Sequence, residues 1–143
     1  MNIEETIKTA LLEASKILME GFGVSIKSAV KEDHNSIVTE KDIASEKVII
    51  EILTDNFPQF NLVGEEKGAR FTGSEYTWII DPLDGTSNYA AGIPWFGTLI
   101  ALMFHDKPTA AGAYLPFYDD LYYAEAVKGV TCNGNPIKVF IYD

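Results

Sequence analysis

The sequence predicts an α+β fold in which two N-terminal helices pack on one face of a mainly antiparallel sheet. Three observations lead there. The chain before residue 58 carries two apolar patterns at the three-and-four spacing of helices. The chain after residue 95 breaks into short runs that alternate in character and are rich in β-branched and aromatic residues. The links between those runs, HDKP, PFYDD and the Asn133-Gly134 hairpin signal, are short, and short links join antiparallel neighbours.

In the first helix Ile3, Ile7, Ala10, Leu11, Ala14, Ile17 and Leu18 form the buried stripe, and the pattern stops around Gly21 to Gly23. Asn2 followed by Glu5 gives it a capping-box start, while Glu4, Glu5, Lys8 and Glu13 form a solvated face. Val24 to Val30 is a plausible strand, and Lys31 to Ser36 is a polar loop in which His34 has no partner pattern. The second helix is expected over Thr39 to Phe57, with Thr39 as N-cap and a stripe through Ile43, Ile50, Leu53 and Phe57. Asp42 falls in its first turn, where the helix dipole alone favours a carboxylate. Glu46, one turn on, is a support residue or a surface charge.

Phe60 to Val63 is a short strand that ends at Gly64 and releases Glu65 and Glu66 together, and Lys67 to Glu75 is a polar loop. Tyr76 to Ile80 is the next strand. Phe96 to Phe104, Thr109 to Tyr114, Leu121 to Ala126 and a run over Val130 to Val139 complete the sheet. Tyr114, Phe117, Tyr118, Tyr122 and Tyr123 are assigned to packing on strand faces and loops.

Length and composition suit one folded domain over residues 1–143, with 47% hydrophobic and 22% charged residues. The formal net charge of -10 opposes sequence-independent binding to nucleic acid or to an anionic membrane. The one cysteine, Cys132, cannot form an internal disulfide and has no activating neighbour, so it is read as structural. No signal core and no run of 18 apolar residues is visible, which makes a cytoplasmic location the expectation.

The stretch Trp78 to Ala101 carries the chemistry. A strand delivers Asp81 to its end, Pro82 biases Asp81 toward extended backbone, Gly85 allows a tight turn, and Thr86 or Ser87 can cap a short helix. Asp81 and Asp84 are hard oxygen ligands suited to Mg²⁺, and the Leu83 carbonyl is placed to add a third oxygen. The free N–H groups of Gly85, Thr86 and Ser87 form an anion site beside them. Metal plus phosphate is the reading. The bland alternative is that these residues only make a turn, but GEE at Gly64 to Glu66 and VTEKD at Val38 to Asp42 add two further acidic clusters at element ends.

The order VTEKD, VGEEKG, WIIDPLDGTSNY and KGVTCNGNPIKV resembles the inositol monophosphatase family of Mg²⁺-dependent, lithium-sensitive phosphomonoesterases. The resemblance runs to about Val139 and implies the N-terminal half of that family's αβαβα sandwich. The family continues into a second domain with a Trp-Asp-x-Ala-type motif, whose Asp is a further metal ligand, and nothing here matches it. Residue by residue, the resemblance implies Glu65 as a metal ligand that also contacts the bound water, Asp42 paired with Thr86 beside a weaker metal, and Lys31 on a loop that folds over the metals. It also implies a homodimer for the full-length protein.

The implied reaction is hydrolysis of a small phosphorylated polyol or sugar with Mg²⁺ as cofactor. Glu65, Asp81 and the Leu83 carbonyl hold one ion, and Asp81 and Asp84 a second. Asp42, Glu65 and Thr86 are then the catalytic residues, while Asp84, Gly85, Thr86 and Ser87 face the phosphate. Fructose bisphosphate, histidinol phosphate and adenosine bisphosphate are alternative substrates among relatives with this core. The Asp-x-Asp-Gly-Thr motif of haloacid dehalogenases shares letters with DPLDGT but has one residue between its acids instead of two, and it belongs to a parallel sheet. The non-enzyme alternative is a regulatory domain that binds metal without turnover.

Overall fold

The structure, a computed structural model, describes residues 1–23, 28–30 and 37–138. Lys31 and His34 lie outside the described residues, as do Val24 to Lys27 of the first expected strand. In chain order the elements are α1 (Ile3–Gly21), β1 (Ser28–Val30), β2 (Ile37–Thr39), α2 (Glu40–Asn56), β3 (Asn61–Gly64), β4 (Gly68–Arg70), β5 (Tyr76–Asp84), α3 (Thr86–Ala90), β6 (Gly97–Phe104), β7 (Lys107–Leu115), β8 (Asp120–Glu125), β9 (Gly129–Cys132) and β10 (Asn135–Pro136). Among the described residues no helix is long and apolar enough to cross a membrane.

Helix α1 starts on the capping box that its sequence announces. Asn2 Oδ1 accepts from the Glu5 N–H at 2.9 Å, and Glu5 Oε2 accepts from the Asn2 N–H at 3.0 Å. Its Ile7, Ala10, Leu11, Ala14 and Leu18 are buried. Helix α2 departs from the expected stripe. Ile49 and Leu53 are buried in its second half, but Ile43 is 46% exposed, and the buried residues of the first half are Asp42, Ser45 and Glu46. The apolar core ends halfway along α2, so its first turns face polar groups instead.

Eight strands form one sheet in the order β10-β9-β8-β7-β6-β5-β3-β4. Every pair is antiparallel except β3 with β5, which run parallel with Gly64 opposite Ile80. The Asn133-Gly134 turn joins β9 to β10 with both residues at positive φ, 49° and 78°. Two strands were not expected. β4 lies within the segment read as a polar loop, and its residues are all exposed, so no apolar alternation marks it. β2 occupies Ile37–Thr39, pairs with β1 and runs directly into α2.

Both long helices cover one face of the sheet, α1 lying over β6, β7 and β8 and α2 over β5. Between them Leu62, Trp78, Ile80, Ile100, Leu102 and Tyr123 complete the core. Gly112 on β7 admits α1 at close range, because a Cβ there would stand 2.5 Å from Ile7 Cγ2 and 2.7 Å from Leu11 Cδ1. The opposite face carries a shallow apolar hollow of about 250 Å³, lined by residues that include Ile79, Leu99, Ala111, Tyr122 and Val130. Ile79 is 43% exposed and Leu99 is 38% exposed.

Gly112→Ala should therefore push α1 off the sheet and destabilise the fold by about 1–3 kcal/mol, as overpacking of a filled core does. Urea unfolding followed by circular dichroism measures it, and a change within error of zero would mean that α1 is not seated on β7 as described.

Candidate active site

β5 does not stop at Ile80 as its sequence suggests. Asp81 pairs with Leu99, the register then shifts through a bulge, and pairing resumes at Asp84 opposite Gly97. Pro82 explains the break, since it has no N–H to give the ladder. Its carbonyl is taken up by the Thr98 hydroxyl at 3.0 Å. Within the bulge the Leu83 side chain is buried in a small cluster with Leu18, Tyr89 and Phe96, while Asp81 is half-buried and Asp84 exposed. The two acids thus stand on either side of a residue locked into the core.

Neither Thr86 nor Ser87 caps α3. Gly85 does, in the left-handed region at φ 84°, without a side-chain cap bond. Glycine is required there twice over, by the dihedral and because a Cβ would sit 2.9 Å from the Trp95 carbonyl oxygen. Thr86 Oγ1 donates instead to the Leu83 carbonyl at 2.9 Å. With its single proton so engaged, the hydroxyl would have to turn before it could donate to Asp42. The far end of α3 is fixed by Tyr89, whose buried hydroxyl donates to the Leu18 carbonyl of α1 at 2.7 Å.

The other acids arrive from β3 and α2. Because β3 runs parallel to β5 with Gly64 beside Ile80, the residues that follow, Glu65 and Asp81, emerge side by side. Glu65 is exposed at the rim. Asp42, 2% exposed, comes from the first turn of α2 beneath them.

Electrostatics show how close these groups are. Burial, then the charges of Glu65 and Asp84 and a hydrogen bond with Glu65, push Asp81 up from 3.8 to about 6, and the Leu83 N–H offsets part of this. Burial, then the charges of Glu66, Glu65, Asp81 and Glu46, push Asp42 up to about 7. Asp81 Oδ1 is shut off from solvent with no hydrogen-bond partner among the described residues. Among the described residues no three His, Cys, Asp or Glu side chains are drawn into a set that could hold a metal ion as they stand. The donor chemistry nevertheless fits a hard divalent cation: every donor is an oxygen, the acids repel one another, and one buried oxygen lacks a proton donor.

Of the residues singled out from sequence, Asp42, Glu65, Asp81 and Asp84 therefore converge, Gly85 shapes the turn, and Thr86 is tied to Leu83. Among the described residues no side-chain bond places Ser87. Glu46 carries more than the sequence disclosed, since it is fully buried and its Oε1 accepts from the Glu66 N–H at 2.9 Å. The signal was its position four residues after Asp42, on the same face of α2.

Fold and site together define a two-helix, mixed-sheet α+β domain with an acidic, oxygen-rich site at the end of its parallel strand pair. The chain belongs to the inositol monophosphatase family, whose model matches residues 2–140. It is 40% identical over 136 residues to the fructose-1,6-bisphosphatase/inositol-1-monophosphatase of Aquifex aeolicus, a match covering 94% of this chain and 52% of that protein. It is 32% identical over 127 residues to the histidinol-phosphatase of Chlorobaculum parvum, covering 89% of this chain and 49% of that one. Among solved structures, the extragenic suppressor protein SuhB of Bartonella henselae matches with a TM-score of 0.90 and 30% identity, over 96% of this chain and 54% of the other. The chain spans about half the length of the curated relatives it matches.

Since Asp42 and Asp81 titrate higher folded than unfolded, the folded state holds more protons between about pH 4 and 7, and their contribution to stability falls as pH rises through that window. Asp81→Asn should stabilise the chelator-treated protein at pH 7.5 by about 0.5–2 kcal/mol, with the gain vanishing below pH 4. Urea titrations of both proteins across that range check it; a gain independent of pH would show that charge repulsion is not its source.

Proposed function

We propose that this chain is the metal- and phosphate-binding half of a Mg²⁺-dependent phosphomonoesterase that acts on inositol monophosphate or a similar small polyol or sugar phosphate. The observation that carries this reading is the buried Asp81 Oδ1, unpartnered among the described residues, set against Glu65 beside the Gly85 turn. Glu65, Asp81 and the Leu83 carbonyl would hold one Mg²⁺, and Asp81 with Asp84 a second. When bound, Mg²⁺ supplies charge neutralisation for the phosphate oxygens and the acidity that turns water into a nucleophile at neutral pH.

The chain's own groups do the rest. The Thr86 hydroxyl donates its hydrogen bond to the Leu83 carbonyl, which leaves its oxygen lone pairs to accept from the attacking water. Asp42 and Glu65 orient the water in line with the phosphorus, and one of them accepts the proton that the water loses as the bond to the ester oxygen breaks. The first N–H groups of α3, at Gly85, Thr86 and Ser87, have no acceptor within the helix and receive the phosphate oxygens. Gly85 also lets that backbone turn toward the ligand.

Relatives with this sequence pattern carry about as much chain again. In our reading that second half lies on the uncovered apolar face, where Ile79, Leu99 and Asp81 line the same hollow, and it brings the remaining ligand for the second ion. The names of the relatives range over inositol, fructose and histidinol phosphates. The DGTSNY segment resembles the inositol monophosphatase branch more than the nucleotidase branch, which supports a small polyol or sugar phosphate.

Calorimetric titration should find weak Mg²⁺ binding by residues 1–143, lost in Asp81→Asn and in Asp84→Asn; unchanged affinity in both variants would leave only a turn. Hydrolysis of inositol monophosphate and p-nitrophenyl phosphate by these residues alone in millimolar Mg²⁺ should be slight and should appear when the complementary half is supplied. Robust turnover by the short chain would show that no ligand from a second half is needed, and metal binding without turnover in the longer chain would favour a regulatory domain.

A further inference from the structure

Glu46 takes no part in the chemistry above, yet among the described residues it is the one acidic side chain at the site with 0% exposure. It stands one turn after Asp42 on the buried face of α2 and reaches the β3–β4 turn from below. There its Oε1 accepts from the Glu66 N–H at 2.9 Å. That amide lies inside the turn, between the ladder pair Gly64 and Gly68. Gly64 shows how tightly the carboxyl is seated, because a Cβ on that residue would run into Glu46 Oε1 and stand 3.1 Å from its Cδ. The second oxygen, Oε2, is buried with no hydrogen-bond partner among the described residues.

This arrangement is a poor way to gain stability. A carboxyl taken out of water with one oxygen unmatched is costly, and Glu46 also adds to the repulsion felt by Asp42. An apolar side chain would fill the space under the turn but would not offer the acceptor that the Glu66 N–H meets at Oε1. Glu65 lies between the two points that Glu46 controls, the close contact at Gly64 and the hydrogen bond at Glu66.

We infer that Glu46 is a positioning residue, which fixes the backbone on both sides of Glu65 and so sets that carboxylate against Asp81. It touches neither substrate nor ion. The inference rests on the proposed metal reading of Glu65 and Asp81, and its requirement is a hydrogen-bond acceptor at Oε1, not a charge.

The test uses the isotopically labelled, metal-free chain and a Mn²⁺ titration read by paramagnetic resonance, with Glu46→Ala, Glu46→Gln, Gly64→Ala and Asp81→Asn compared with the parent. In Glu46→Ala the Glu66 amide should exchange about tenfold faster or more while the amides of Ile100 and Leu102 keep their protection, and Mn²⁺ affinity should fall about tenfold. Glu46→Gln should restore both, since its amide oxygen accepts the same N–H. Gly64→Ala should displace the carboxyl and reproduce the loss, and combining it with Glu46→Ala should add nothing further. If Glu46→Ala fails to fold, Gly64→Ala alone decides in the same way. Parent-like Mn²⁺ affinity in Glu46→Ala or Gly64→Ala, with Asp81→Asn still abolishing binding, overturns the positioning role. A loss in Glu46→Gln as deep as in Glu46→Ala overturns it also, because charge would then be what matters. Mn²⁺ binding unaffected by Asp81→Asn sinks the metal reading itself, and this inference falls with it.

Discussion

Asp81 and Glu65 meet because β3 and β5 are the one parallel pair in an otherwise antiparallel sheet. Parallel neighbours end at the same edge, so the residues that leave them emerge together, and here both are acids. Burial and like charge each disfavour the contact, as the upward shift of Asp81 records. A contact that opposes folding persists only where the surrounding structure leaves it no alternative. Most of the local architecture can be understood as that restraint.

The restraint comes from three directions. On the β5 side, Leu83 is buried in the cluster with Leu18, Tyr89 and Phe96, which prevents the bulge from relaxing and carrying Asp81 and Asp84 apart. The cluster is itself tied to α1 by the Tyr89 hydroxyl and packed by the ring of Phe22, 5.0 Å from Phe96. Under β3, α2 supplies Asp42 and Glu46 where an ordinary helix would supply a second apolar turn. Opposite the bulge, Thr98 holds the Pro82 carbonyl. Apolar packing far from the acids thus offsets the repulsion among them, which separates the residues that stabilise the fold from those that would use it.

What the sequence made legible follows the same division. The stripe of α1, its capping box, the meander from β6 to β10 and the Asn133-Gly134 turn are local patterns, and the structure matches them. The acids Asp42, Glu65, Asp81 and Asp84 could be singled out because they cluster at element ends. Among the features that were hidden, three show how tertiary context decides. Ile43 fits a helical stripe by spacing, yet α2 turns a polar face inward at that level. β4 is exposed throughout and is a strand only because β3 offers it an edge. β5 reaches Asp84 because β6 resumes pairing at Gly97 beyond the Pro82 bulge, and local propensity at Pro82 argues for a stop.

The uncovered face of the sheet bears on the site through dielectric as well as through ligands. Asp81 lines the same hollow as Ile79 and Leu99, so any polypeptide that covers those side chains also removes water from one flank of the acid. Without a cation this would raise the cost of ionised Asp81 further, since desolvation is already the first cause of its shift. With a cation it would strengthen each oxygen-to-metal attraction, because the interaction grows as the local dielectric falls. On the proposed reading, covering the apolar face and binding the ion favour each other, and the linkage is reciprocal. With its acids at the border of an open apolar face, the chain described here is then poised to do neither well until that face is covered.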